Sequence, residues 1–168
     1  MAIPKSLNPA LDEDGTNCSQ QQVHKDTWFL AGTAAPMESA NRACIIPSSK
    51  AILFPIVNNL VASHEYPEIK NNDTLKQIAG KDLRRGAEIE FRFNYELAKK
   101  EVCRVDCDLF EIMYSEDNIF NSRPGLSTAV SDGFWTFLKP LPQGIHTVYF
   151  RASEPNYRTD VRYTLKIE

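Results

Sequence analysis

The nine residues IEFRFNYEL, 89–97, alternate apolar and polar without a fault, and a strict period of two is the signature of a strand with one wet face. Ile89, Phe91, Phe93, Tyr95 and Leu97 fall on one side; Glu90, Arg92, Asn94 and Glu96 fall on the other. VRYTLKI, 161–167, repeats the scheme through Val161, Tyr163, Leu165 and Ile167. A helix, with its period of 3.6, cannot bury such a face, so these segments commit the chain to sheets. Between them LFEIMY (109–114), GFWTFL (133–138) and HTVYFRA (146–152) are apolar on both sides, as enclosed strands are. SEDN (115–118), SRPG (122–125), KPLPQG (139–144) and SEPN (153–156) supply turns between strands.

The N-terminal half adds TWFLAGT (27–33), ACIIP (43–47) and KAILFPIV (50–57) as further strands. One helix is expected, over about 73–85. Asn72 or Asp73 is its cap, Leu75, Ile78, Ala79 and Leu83 form its apolar face, and Gly86 is its stop. The fold class that follows is mainly β: a β-sandwich of jelly-roll or immunoglobulin-like type, with about eight strands and one crossing helix. Residues 1–22, with Pro4, Pro9, Gly15 and the run SQQQ, read as a polar arm, and residues 23–168 as one domain.

Four cysteines, Cys18, Cys44, Cys103 and Cys107, allow three pairings. CRVDC (103–107) has three residues between its thiols in β-rich sequence, whereas a redox pair uses two at a helix start. Structural zinc wants a second close pair, and Cys18 and Cys44 are far apart in sequence. Two reduced cysteines on one strand face are a further possibility. The reading adopted is two disulfides, Cys18–Cys44 and Cys103–Cys107, which requires CRVDC to be a loop or bulged turn and implies an oxidising compartment.

The 168 residues carry a net charge of −3, and Lys and Arg are scattered, which argues against a nucleic-acid partner. The longest apolar run, AILFPIV (51–57), is of strand length, so no membrane span is expected. MAIPKSLNPALDEDG has no apolar signal-peptide core, so secretion or cell-surface location is read from the cysteines.

The order of motifs TWFLAGT, CIIPSSKAILFPIVN, EDNIF and AVSDGFWTFLKPLPQGIHTVYF resembles a family of secreted microbial proteins, over about residues 18–150. That resemblance implies an exported, sandwich-like domain and carries no activity, cofactor or catalytic residue.

Candidate chemistry is sparse. His24, His64 and His146 stand in no catalytic signature and read as surface or strand-end residues. Facing carboxylates for glycoside hydrolysis are sought at Glu65 and Glu68, and at Glu116 and Asp117. DEDGTN (12–17) places Asp12, Asp14 and Asn17 around a glycine turn as a calcium candidate. Trp28, Trp135, Phe134, Phe137, Tyr149 and Phe150 are candidates for either a sugar-stacking platform or core. Asn17 and Asn72 each open a glycosylation sequon. The expected function is a secreted, non-enzymatic binding or structural domain of a matrix, surface, filament or adhesion kind. It would self-associate by donating residues 1–11 as a strand, with Ile3, Leu7 and Leu11 as anchors. The alternative is a secreted hydrolase or carbohydrate-binding module with its site in loops 58–72 and 115–132.

Overall fold

The computed structural model describes residues 3–84, 87–154 and 157–168, apart from the side chains of residues 82 and 84. Within them the chain forms strands β1 (Thr27–Phe29), β2 (Ser39–Ile46), β3 (Ala51–Ala62), β4 (Glu88–Phe93), β5 (Glu96–Leu97), β6 (Val102–Asp106), β7 (Phe110–Tyr114), β8 (Gly125–Leu138), β9 (Gly144–Glu154) and β10 (Tyr157–Ile167). Helices α1 (Asn72–Ala79) and α2 (Lys81–Arg84) follow β3.

The strands build two mixed sheets that do not close into a barrel. Sheet A runs β1-β3-β8-β6, with β7 on the same side of β8 as β6; sheet B runs β2-β10-β9-β4-β5. The pairs β1/β3 and β2/β10 are parallel and the rest are antiparallel. One apolar cluster draws on both sheets: Phe54 of sheet A meets Phe91 edge-on at 5.5 Å and stacks on Phe150 at 5.1 Å, both from sheet B. Such ring pairs contribute about 0.5–1.5 kcal/mol each beyond their buried area. β10 buries Val161, Tyr163, Leu165 and Ile167, the face that its alternation specifies.

β3 and β8 outrun sheet B. At their far end α1 covers the sheet, with Leu75 and Ala79 against Val61 and Val130. A bulge between Pro55 and Val57 shifts the β3/β8 register. Gly133 is required beside it, because a Cβ there would stand 2.5 Å from the Asn58 Cβ and 2.7 Å from the Val57 carbonyl oxygen.

Four expectations are corrected. IEFRFNYEL is two strands, since Asn94 (φ 46°) and Tyr95 (φ 70°) turn the chain between β4 and β5. The single helix is two, parted at Gly80, and its cap is Asn71, whose side chain accepts the Asp73 N–H; the expected stop, Gly86, lies outside the described residues.

CRVDC is a strand rather than a knot. Cys103 and Cys107 are free, since β6 runs extended through Asp106 against β8. Four extended residues span about 13 Å, beyond the reach of a disulfide. The Cys18–Cys44 bridge is formed.

Residues 3–22 are packed rather than a free arm, Met1 and Ala2 lying outside the described residues. Asn8 and Asp12 are buried, and the Glu13 and Asp14 carbonyls accept the N–H groups of Asn41 and Ala43 in β2. Glu13 and Asp14 close an edge of their own sheet, and Lys5–Leu7 and Pro9–Leu11 form short 3-10 turns rather than an extended strand. Gly15 (φ 94°) permits the approach: a Cβ would meet the Ala43 carbonyl oxygen at 2.2 Å.

Thiol titration of unfolded, unreduced protein is expected to find the two free cysteines, Cys103 and Cys107, per chain. Finding four would deny the Cys18–Cys44 bridge, and finding none would restore the second one. Replacing both Cys18 and Cys44 by serine is expected to cost about 3 kcal/mol in urea unfolding, the entropy released by opening their loop.

Candidate functional site

The outer face of sheet A carries an alignment of aromatic and apolar side chains that includes Phe29, Trp135 and Phe137. Residues directly opposite in adjacent strands share a face, so the register builds rows across the sheet. Phe29 of β1, Leu53 of β3 and Phe137 of β8 form one row. Pro55 of β3, Trp135 of β8 and Cys103 of β6 form the next. Asn58, Gly133 and Val105 form a third. Phe137 is 55% exposed, Val105 50% and Phe29 40%; Trp135, Leu53 and Pro55 are half-buried. None of the nine is charged, although charged residues are 24% of the chain.

The aromatic candidates thus divide by strand face. Trp135 and Phe137 stand on the platform, while Trp28 and Phe150 are buried and Phe134 packs against the core. Tyr149 lies in the other sheet, half-buried, and hydrogen-bonds Asp160. Phe29 was missed. Its signal was present in TWFLAGT, where the ring next to a buried Trp28 must point the other way.

The candidate acids take up structural tasks. Glu65 accepts the Ala62 N–H at 3.0 Å, capping a short turn at Ser63–Glu65. Asp117 accepts the Lys5 N–H at 3.2 Å and pairs with its ammonium at 3.7 Å. Glu68 and Glu116 are exposed. No hydrogen bond joins any two of these four. His64 Nδ1 lies 2.9 Å from Ser127 Oγ, and among the described residues no carboxylate hydrogen-bonds the imidazole.

DEDGTN is a self-satisfied loop. The Asp12 carboxylate accepts the N–H groups of Asp14 (3.3 Å), Gly15 (3.1 Å) and Asn17 (2.7 Å). Asp14 accepts the Thr16 N–H (2.9 Å) and hydroxyl (2.7 Å), bonds that hold its carboxyl below the usual range. The Asn17 amide donates to the Ser6 carbonyl at 3.3 Å. Both Asp12 oxygens thus serve the backbone of their own loop. Among the described residues no group of three or more His, Cys, Asp or Glu could hold a metal ion.

Arg42 is the most consequential residue that sequence reading passed over. Cys44 and Ile46 set the inward frame of β2 and Arg42 shares it, so a cation occupies a core position at 2% exposure. Its Nε donates to the Asp12 carbonyl at 2.6 Å, and its Nη1 to the carbonyls of Ala31 (2.7 Å) and Gly32 (3.0 Å) and to Tyr163 Oη (2.8 Å). Tyr163 in turn donates to the Ala31 carbonyl and accepts the Ala31 N–H. Burial pushes the Tyr163 phenol up, and Arg42 opposes that rise.

Comparison with protein-family models, curated proteins and solved structures finds no match.

Arg42→Met is expected to cost about 3–5 kcal/mol, because it strands buried carbonyls without a donor. Urea unfolding checks this, and a loss under about 1 kcal/mol would mean that the clamp does not hold the loop. Tyr163 has a raised folded pKa, so its contribution is whole below the unfolded value of about 10 and is lost as pH rises through the folded one. Melting temperature should therefore fall steeply in alkali, and less steeply in Tyr163→Phe.

Proposed function

We propose that this chain is an exported, non-enzymatic β-sandwich of the adhesion or matrix kind, and that it binds through the outer face of sheet A. The observation that carries the reading is the uncharged platform of Phe29, Phe137, Trp135, Leu53, Pro55 and Val105. A single exposed hydrophobe needs no explanation, but aligned rows of them mark an interaction surface. Stacking of the two inner faces around Phe54, Phe91 and Phe150 supports the sandwich. The Cys18–Cys44 disulfide supports export, since such bonds persist in oxidising compartments.

The partner is best matched by a flat, uncharged polysaccharide surface. Aromatic rings present flat apolar faces to the C–H faces of sugars, and their alignment on a sheet places them in one plane. A hydrolase is less well supported, because Glu65 and Asp117 are engaged in holding loops and neither bonds its neighbouring acid.

Depletion from solution by microcrystalline cellulose or chitin tests the proposal. Wild-type protein is expected to bind at least one of them. Phe137→Ala should weaken binding about tenfold, the factor carried by about 1.4 kcal/mol of lost ring contact, with its melting temperature unchanged. A solution mass that rises with concentration and is returned to monomer by Phe137→Ala would make the partner a second copy instead. Absence of both polysaccharide binding and self-association would overturn the platform as a binding surface.

A further inference from the structure

β3 is paired along almost its whole length on one side and only at its start on the other. β8 accompanies it from Ile52 to Ala62. On the opposite side β1 covers Ala51, Ile52 and Leu53, and the Leu30 N–H closes this pairing on the Leu53 carbonyl. At the far end the Ala62 N–H is taken by Glu65. Between these two points, among the described residues, the edge of β3 has no strand beside it.

The direction of each backbone group follows from the other side of β8. The Cys107 N–H donates to the Ser131 carbonyl, so Ser131 faces away from β3. Alternation then turns Val130, Asp132 and Phe134 toward β3, where they oppose Val61, Asn59 and Val57. Asn58 and Leu60, lying between those partners, point their N–H and C=O groups to the open edge. Neither makes a further backbone hydrogen bond there.

A cavity of about 580 Å³ lies against this edge. Residues 55–61 of β3 line it continuously, with loop 31–35 and, among others, Tyr66, Ile78, Phe120 and Tyr157 forming the rest. Among the described residues no Asp, Glu, Lys, Arg or His lines it. The loop is held back from β3 by several of its polar groups, which are committed elsewhere. The Ala31 and Gly32 carbonyls go to Arg42, the Thr33 carbonyl to Tyr157 Oη at 2.6 Å, and the Ala34 N–H to the Ala10 carbonyl. At Leu30 the chain therefore leaves sheet A for bonds to sheet B, and it leaves a strand-length gap behind it.

We propose that this gap is a strand-addition site: it receives an extended, uncharged peptide segment of another protein, which pairs with β3 through Asn58 and Leu60 and continues the line of β1. Paired donors and acceptors at two alternate residues are what a strand satisfies, whereas a compact small molecule does not span that repeat. The uncharged lining selects against charged side chains, since burying one without a partner is costly. This site adjoins the aromatic platform at Pro55 and Asn58 but uses the backbone edge of β3 rather than its outer face.

The test uses the full chain, ¹⁵N-labelled, with the probe peptide acetyl-Thr-Val-Thr-Val-Thr-Val-amide and the same peptide N-methylated at alternate amides. In free protein the Asn58 and Leu60 amides are expected to exchange at least about 100-fold faster than those of Asn59 and Val61, which bond to β8. The probe, at concentrations up to about 1 mM, should shift and slow both amides, and the N-methylated peptide should not. Gly32→Val should weaken binding at least about tenfold, because a Cβ there has the Pro55 carbonyl oxygen as its nearest neighbour, at 4.0 Å, and further methyls enter the gap. Leu60→Pro should do the same by removing an N–H that does not bond to β8. Gly32→Val leaves the β3 backbone intact, so the test survives if Leu60→Pro fails to fold. Protected Asn58 and Leu60 amides in the free protein, an unresponsive edge, or equal binding of the N-methylated peptide would overturn the proposal. Shifts of the same residues by cyclohexanol or cellobiose but not by the probe would also overturn it, and would make the gap a small-molecule pocket.

Discussion

A buried guanidinium without a carboxylate partner holds the two halves of this structure in place. Among the described residues Arg42 has no ion pair, and its compensation comes from three backbone carbonyls and a phenol. Desolvating a cation costs several kcal/mol even after relaxation, so those dipoles must be held in place before the site is tolerable. Arg suits the position because its planar fork delivers several donors in fixed directions and it does not shed its proton. The segments it fastens are far apart in sequence: Asp12 in the N-terminal segment, Ala31 and Gly32 after β1, and Tyr163 in β10. The disulfide at Cys44, two residues along the same face of β2, secures the same N-terminal segment through Cys18. Covalent and electrostatic restraints therefore act on one strand face, and the packed N-terminus depends on both.

The long strands β3 and β8 change role along their length. Over Ala51–Val57 the inner face of β3 meets sheet B through Ile52 and Phe54 and the outer face carries Leu53 and Pro55 in the aromatic rows. Past the bulge the frame shifts, and Val61 turns under α1 instead. Arg104 of β6 reaches Asp132 with two bonds, at 3.0 and 2.7 Å, on this inner side. Asp132 is 4% exposed, so its charge is tolerable because the pairing is bidentate. Removing Gly133 from between these features would push β3 and β8 apart where both faces depend on their contact.

Alternation made much of this legible. VRYTLKI buries the four residues its pattern names, and GFWTFL, HTVYFRA and all of KAILFPIV but Lys50 lie in strands. The same rule concealed a hairpin: a two-residue turn preserves a period of two, so Asn94 and Tyr95 left no break in IEFRFNYEL. Turn chemistry was the only clue, and Asn-Tyr is a weaker signal than Asn-Gly. The platform was half legible, because the odd and even rings of GFWTFL separate at once but nothing in the sequence says which set faces inward. Asp12 drew attention as an acid beside a glycine, yet three donors of its own loop were already in range. The edge of β3 was not legible at all, since it is defined by where β1 stops, and β1 stops because a distant arginine holds the next two carbonyls.

How the other edges are closed gives the β3 gap its meaning. Unpaired strand edges invite aggregation, and folded chains blunt them. Residues Glu13 and Asp14 bond to β2. Gln22 brackets β1, its amide accepting the Phe29 N–H and donating to the Phe29 carbonyl, both at 2.8 Å. Ala98 bonds to Phe91 in β4. β6 and β7 span five residues each and carry Arg104, Asp106 and Glu111, the short and charged form of edge that resists extension. Among the described residues, only along Pro55–Val61 does an edge run both uncharged and walled, with Asn58 and Leu60 turned toward a cavity that the chain's own loop is held back from filling. A chain that protects its other edges by pairing, bracketing or charge leaves this one shaped for an incoming strand, and the same Arg42 that stabilises the N-terminus keeps it open.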